Sequence, residues 1–101
     1  MTEERWQKIR GSRVTVPPHV VTRTYEGDTV ALNIRTGEYY SIDSIGKRFL
    51  DVLQESSTLA GACTTLAETY GQPRERIQTD LAAFLDRMLE LGLVELDGVP
   101  N

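Results

Sequence analysis

Residue types that commonly carry chemistry are scarce in this sequence. It has one histidine, His19, and one cysteine, Cys63, and these could form a nucleophilic pair only if the fold brought them together. Cys63 lies on the apolar face of a predicted helix, where cysteine is commonly buried and inert. One histidine and one cysteine provide no metal-ligand spacing, and the scattered glycines form no phosphate-binding loop. The composition favours a protein that is not an enzyme and holds no metal or other cofactor.

The charge and hydropathy of the sequence indicate which partners and which compartment to expect. The formal net charge is −4 and the pI is about 4.9, which does not favour a protein that binds by neutralising nucleic-acid phosphates. No segment approaches the ~20 apolar residues that cross a bilayer, and a lone cysteine suits a reducing compartment. We therefore expect a cytoplasmic protein without a membrane or nucleic-acid partner.

Alternating and β-branched residues predict three strands near the start of the domain. The strands cover residues 20–25, 29–34 and 39–42, and short turns containing Gly27 and Gly37 join them into an antiparallel meander. In the second strand, Val30, Leu32 and Ile34 alternate with smaller or polar residues, which predicts that these three side chains face the core.

The apolar period then changes from that of a strand to that of a helix. Asp43 or Ser44 can cap a first helix, residues 59–70 form a second that ends at Gly71, and Pro73 opens a third that ends before Gly92. A short extended piece follows at residues 93–96. The predicted fold is α+β and winged-helix-like, with a three-stranded antiparallel sheet followed by a three-helix bundle.

The chain ends are predicted to lie outside the domain, which spans residues 19–96. Residues 1–18 contain several basic side chains and the consecutive prolines Pro17 and Pro18, a composition typical of a flexible basic tail. Alternatively, residues 14–16 pair with a sheet and Trp6 covers the core. Residues 97–101 are interpreted as a polar C-terminal tail.

A winged-helix shape suggests DNA binding, and the third helix provides a test of that function. Three arginines on this helix oppose four acidic residues, so its net charge is −1; they are Arg74, Arg76 and Arg87 against Glu75, Asp80, Asp86 and Glu90. A recognition helix usually presents a basic face to the phosphates. A DNA-binding regulator stays as the alternative because residues 1–13 have a net charge of +2, from four basic and two acidic residues.

The third strand is the most distinctive candidate for a binding site. Residues 38–42 form the edge of the predicted meander and contain none of the lysines or prolines that commonly protect an edge. Tyr39 and Tyr40 place one aromatic ring on each face of the sheet. Such an edge can add a strand from another polypeptide or pair with a second copy, giving a monomer or weak dimer. Alternatively, one tyrosine simply completes the core.

An ordered set of motifs resembles the PqqD-like proteins. Residues 30–43 read VALNIRTGEYYSID, and they are followed by Ile45-Gly46, the apolar residues of 49–53, Tyr70-Gly71, Asp80-Leu81 and Leu91-Gly92-Leu93-Val94. The resemblance covers residues 19–96.

This resemblance implies a RiPP recognition element, a domain that binds the leader of a ribosomally made precursor peptide as an added strand. The leader would pair with the third strand and lie against the third helix. The residues so implicated are Glu38, Tyr39, Tyr40, Ser41, Ile42, Arg74, Ile77, Asp80, Leu81, Phe84 and Met88.

The resemblance also implies the partners. It is strongest to the separate leader-binding proteins of lasso-peptide biosynthesis, which act as peptide chaperones beside a separate cysteine protease that removes the leader. The related proteins that serve a radical maturation enzyme in quinone-cofactor synthesis are an alternative.

Overall fold

The computed structural model describes residues 2–98, which form two antiparallel sheets and four helices. In chain order the elements are α1 (Glu3–Ile9), β1 (Arg13–Thr15), β2 (Val20–Tyr25), β3 (Asp28–Asn33), β4 (Tyr39–Ile42), α2 (Ser44–Glu55), α3 (Leu59–Tyr70), α4 (Arg74–Glu90) and β5 (Glu95–Asp97). The α+β class and the meander β2-β3-β4 are confirmed. The three helices predicted after the sheet are α2, α3 and α4, and α1, which precedes the sheet, was not predicted.

The three-stranded sheet has β3 at its centre and β4 at one edge. Ala31 pairs with Tyr40 and Leu32 with Tyr39, so β4 runs antiparallel to β3 along its whole length. The hairpin between them is closed by the Asn33 side chain, whose Oδ1 accepts from the Arg35 N–H at 2.9 Å. This turn fixes the register that orients Tyr39 and Tyr40.

The buried face of β3 is opposite to the one predicted. Thr29 and Ala31 are both 1% exposed, whereas Val30 and Leu32 are only half-buried and Ile34 is 60% exposed. The small inner residues let β3 pack closely on α2, and the Thr29 hydroxyl is satisfied by Thr24 Oγ1 at 2.8 Å. Alternation predicts two faces but does not identify which one is covered.

Local capping sets the start of two helices and the end of one. Asp43 accepts from the Gly46 N–H at 2.7 Å to begin α2, and Thr58 accepts from the Gly61 N–H at 3.0 Å to begin α3. Gly71 ends α3 with a left-handed φ of 61°, a conformation that glycine adopts without strain. Helices α2, α3 and α4 pack around fully buried leucines, namely Leu53, Leu59, Leu66, Leu81 and Leu85.

The N-terminal residues pack on the domain, in contrast to the flexible tail expected for residues 1–18. Trp6 and Ile9 of α1 are 3% and 5% exposed, and β1 pairs with β5 so that Val14 lies opposite Leu96. Burial of Trp6 and Val14 explains the order, because each removes a large apolar side chain from water. Of the predicted C-terminal tail, Asp97 ends β5, and residues 99–101 lie outside the described residues.

Candidate functional site

The outer edge of β4 carries backbone groups that the sheet does not use. The Asn33 N–H donates to the Glu38 carbonyl at 2.9 Å, which assigns the pairs that include Glu38, Tyr40 and Ile42 to the hydrogen-bonded type. In an antiparallel ladder the residues between them direct their N–H and C=O groups to the opposite edge. Tyr39 and Ser41 therefore present donors and acceptors to an additional strand.

A groove lies between this edge and α4. Its surface combines apolar side chains, namely those of Ile42, Phe84 and Met88, with the polar residues Ser41, Asp43 and Arg87. Phe84 is half-buried, so part of its ring faces the groove while the rest packs against the core. A strand paired with β4 would place alternate side chains in this groove.

The base of the groove depends on a close approach of α2 to α4. A Cβ atom on Gly46 would lie 2.9 Å from Cγ2 of Ile42 and 3.1 Å from Cε1 of Phe84. Phe84 also makes an edge-to-face contact with Phe49 at a centroid distance of 5.7 Å. Gly46 therefore permits the position of Phe84 that lines the groove.

A second concavity adjoins the N-terminal half of α4. Ile45, Phe49 and Tyr70 form its apolar part, and Arg76 and Asp80 are among the polar residues that line it. Ile45 is 57% exposed and Tyr70 is 39% exposed. Because Phe49 contacts both Tyr70 and Phe84, an aromatic cluster connects the two depressions.

Tyr40 links the edge strand to charged groups. Its hydroxyl donates to Glu38 Oε2 at 2.5 Å, and this bond is the main reason that the pKa of Tyr40 is raised. Burial and the Glu38 charge raise the pKa further, whereas the nearby Arg87 guanidinium lowers it. Tyr40 therefore stays a neutral donor at neutral pH.

Comparison with known families identifies the domain that carries this groove. The family model for coenzyme PQQ synthesis protein D (PqqD) matches residues 28–94, which is more than half of the 101 residues. The chain belongs to the PqqD family. The match begins at β3 and includes β4 and α4, so both walls of the groove lie within it.

Two solved structures share the fold of this PqqD-family domain. One is described as TbiB1 in complex with the TbiA(beta) leader peptide; it is 24% identical, has a TM-score of 0.73 and covers 86% of this chain and 99% of that chain. Another is described as lasso peptide synthetase B1 complexed with the leader peptide; it is 20% identical, has a TM-score of 0.74 and covers 82% of this chain and 98% of that chain. No curated protein matches the sequence.

Within the PqqD-family domain, the predicted strand residues divide between two faces. Tyr40 is half-buried and Ile42 is 6% exposed, and both point toward the helices. Tyr39, which is 71% exposed, and Ser41 point to the opposite side of the sheet. Tyr40 thus packs against the core, while Tyr39 does not contribute to it.

The α4 residues implied by the resemblance do not all lie at the groove. Leu81 is fully buried, and Ile77 and Met88 are 3% and 5% exposed. Asp80 and Ile77 line the second concavity. The Arg74 guanidinium instead turns to α3, where Nη2 donates to the Ala60 carbonyl at 3.5 Å. Of this set, Phe84 has the largest accessible side chain in the groove.

Several groove residues were missed as site candidates. Asp43 and Gly46 were recognised only as a cap and a family motif, and Arg87 only as part of the helix charge. The sequence could have indicated Arg87 as a site residue, because it follows Phe84 by three residues and so lies on the same face of the helix.

The sheet has a second exposed surface, the outer face. It comprises the apolar side chains of Val21, Val30, Leu32 and Tyr39 around Arg23. Arg23 makes no salt bridge with any carboxylate in residues 2–98. An apolar sheet face of this kind commonly marks an interaction surface.

Of the two side chains considered for catalysis, Cys63 lies in the core. Cys63 is fully buried, and burial is the main cause of its raised pKa, with Arg74 opposing; a reactive cysteine has the reverse properties. Within the described part of the chain, no three metal-binding side chains are grouped. Over the same residues, none of the four helices has the length and apolar content to cross a bilayer.

Proposed function

We propose that this chain is a RiPP recognition element that binds the leader segment of a ribosomally made precursor peptide without catalysing a reaction. The observation that carries the proposal is the free β4 edge, with the Tyr39 and Ser41 backbone groups directed outward, beside a groove lined by Phe84. The similar structures are described as bound to leader peptides, which supports the same class of ligand here.

Both the backbone and the side chains of the leader contribute to binding. Hydrogen bonds to Tyr39 and Ser41 set the register, while leader side chains that enter the groove give specificity. An apolar leader side chain that becomes fully buried against Ile42 and Phe84 contributes ~1–3 kcal/mol. The proposed contact set is residues 38–42 with Phe84 and Met88, and Ile77 and Asp80 extend it if the leader reaches the second concavity.

The bound leader is delivered to a separate enzyme in the cytoplasm. In the lasso-peptide type, which the similar structures favour, this enzyme is a cysteine protease that removes the leader. Holding the leader near the enzyme raises its effective concentration and sets the distance to the cleavage site. The two alternatives, a DNA-binding regulator and a chaperone for a radical maturation enzyme, are not favoured, because the similar structures are described as lasso-type or leader-peptide complexes.

The outer face provides a surface for this enzyme. Its apolar residues surround Arg23, so two copies packed face to face would bring two unpaired guanidinium groups together, which is unfavourable. An apolar surface with a carboxylate opposite Arg23 is complementary instead. Leu32→Glu should reduce capture of the enzyme encoded beside this chain and leave leader affinity unchanged; a loss of leader affinity would contradict the separation of the two surfaces.

Leader binding is tested by NMR titration with the leader peptide of the precursor encoded nearest to this chain. We expect saturable amide shifts at residues 39–42 and on the groove face of α4, at micromolar peptide or below. A scrambled peptide of the same composition is the control. Absence of shifts with the leader, or equal shifts with the scrambled peptide, would refute the proposed function.

A further inference from the structure

Arg87 is a cation of the groove that lacks an internal counter-ion. It lines the groove opposite Ser41 and Asp43, and its side chain is exposed. Across residues 2–98, it forms neither a salt bridge nor a side-chain hydrogen bond. A guanidinium group in this position is suited to bind a carboxylate in a planar, two-bond geometry.

The neighbouring carboxylates are already engaged. Glu38 accepts from the Tyr40 hydroxyl, and Asp43 accepts from the Gly46 N–H that begins α2. Lys47 forms an ion pair with Asp51 one turn later in α2. On α4 itself, Asp86 forms an ion pair with Arg5 at 3.7 Å. Glu38 and Asp43 keep their negative charge, and Glu90 follows Arg87 by three residues on α4, but among the described residues none of these carboxylates forms a salt bridge with Arg87.

The position of Arg87 along the groove is defined by its neighbours. Phe84 lies against Ile42 and the Gly46 backbone, whereas Arg87 follows Phe84 by three residues on the same face of α4 and lines the groove with Ser41 and Asp43. An added strand directs the residues opposite Ile42 and Tyr40 to the same side, two positions apart. One of these residues meets the apolar end of the groove, and the other meets the cationic end.

We infer that Arg87 selects leaders that carry an acidic side chain two residues from an apolar one, with the carboxylate paired to its guanidinium group. This inference rests on the proposed leader-binding function and adds the chemical pattern of the segment that is recognised. The apolar residue lies over Phe84 and Ile42, and the acidic residue faces Arg87. The order of the two residues along the leader depends on the direction of the added strand.

The test is a positional charge scan of the leader peptide encoded nearest to this chain. Each leader residue is replaced in turn by Glu, Gln and Lys, and dissociation constants are measured for the wild-type domain, Arg87→Glu, Arg87→Gln and the matched control Arg23→Glu. Arg23 is also an exposed arginine without a salt bridge among the described residues, but it lies on the outer face. Thermal melting of each variant verifies that it is folded.

We expect one leader position at which Glu binds the wild-type domain about three- to tenfold more tightly than Lys, as for a partly exposed ion pair. Arg87→Glu should reverse that preference, Arg87→Gln should remove it, and Arg23→Glu should keep it. A leader that binds but shows no reversed position overturns the inference and leaves the proposed function intact. Reversal in both Arg87→Glu and Arg23→Glu also overturns it, whereas no binding of the unmodified leader refutes the proposed function itself.

Discussion

Gly46 and Phe84 meet at the base of the groove, where a Cβ atom on Gly46 would lie 3.1 Å from Cε1 of the Phe84 ring. Ile42 is closer still, at 2.9 Å from the same point. The first turn of α2 can therefore touch both β4 and α4 only because residue 46 has no side chain. This contact relates the stability of the domain directly to the shape of the proposed binding surface.

Gly46→Ala is expected to destabilise the domain although alanine is the better helix former. The added methyl group must displace Ile42, a buried β-branched residue, and such overpacking costs ~1–3 kcal/mol. A gain of about 1 kcal/mol in helix propensity offsets only part of this cost. Urea unfolding measures the difference, and Gly61→Ala in α3 is the control, because its methyl group meets only the Thr58 hydroxyl. Unchanged or increased stability of Gly46→Ala would contradict the close contact.

Ser41→Pro should abolish leader binding without removing a hydrogen bond from the β3–β4 ladder. The Ser41 N–H points to the free edge in the observed register, and proline removes that donor. Ser41→Ala is the matched control, since it keeps the N–H and should bind the leader about as well as the wild-type domain. Isothermal titration calorimetry measures the affinity, and circular dichroism verifies the fold. Binding by a folded Ser41→Pro variant would show that the leader does not pair at this position.

Phe84→Ala is expected to affect both binding and stability. Because Phe84 is half-buried, its loss should cost about half of the ~3–5 kcal/mol typical of a buried phenylalanine. Leader affinity should decrease about tenfold or more, as for an aromatic residue at the centre of an interface. Tyr25→Ala is the control. Its side chain is 77% exposed, and its loss should change neither the leader affinity nor the stability. Loss of stability alone would assign Phe84 to the core and exclude it from the site.

Because of Cys63, the stability of the domain is expected to depend on pH in the alkaline range. Burial raises the pKa of the folded thiol above its ordinary value of 9.0, so the unfolded chain releases this proton first. Stability should therefore decrease as the pH rises through about 9, because the folded state then binds more protons than the unfolded state. Cys63→Ala should lower stability overall but reduce this slope.

The same property predicts that Cys63 is unreactive in the folded protein. A thiolate is the reactive species, and Cys63 is fully buried. At pH 8 a colourless disulfide reagent that releases a chromophore should react at the rate of unfolding and become fast in denaturant. Rapid reaction under native conditions would contradict the burial of the thiol.

The sequence predicted the parts of the fold that depend on local pattern. The turn containing Gly37, the Asp43 cap and the apolar stripe of α4 each specify an element within a few residues. The free edge at Tyr39 and Ser41 followed from strand order, because the last strand of a meander has one neighbour. These features made the β4 side of the candidate site predictable.

The features that were missed depend on packing between distant residues. Helix α1 has only two buried side chains, Trp6 and Ile9, and β1 is ordered by β5 at the far end of the chain. The wrong face of β3 was predicted because Val30 and Leu32 are larger than Thr29 and Ala31, whereas α2 requires the small residues. The full burial of Leu81, which the resemblance had implied as a leader contact, likewise depends on how α4 is rotated against the bundle.

The pairing of β1 with β5 has a consequence for the topology of the domain. Arg13 lies directly opposite Asp97, so two residues that are far apart in sequence are adjacent in space. A linker from the end of β5 to Thr2, rather than to Arg13, could join the ends and keep the buried Trp6 and Ile9 of α1 in the chain. New ends could be opened in an exposed turn such as the one at Glu26 and Gly27. The order of the elements along the chain could then be permuted while β4 and α4 keep their places, which makes this scaffold suitable for insertion into a larger polypeptide.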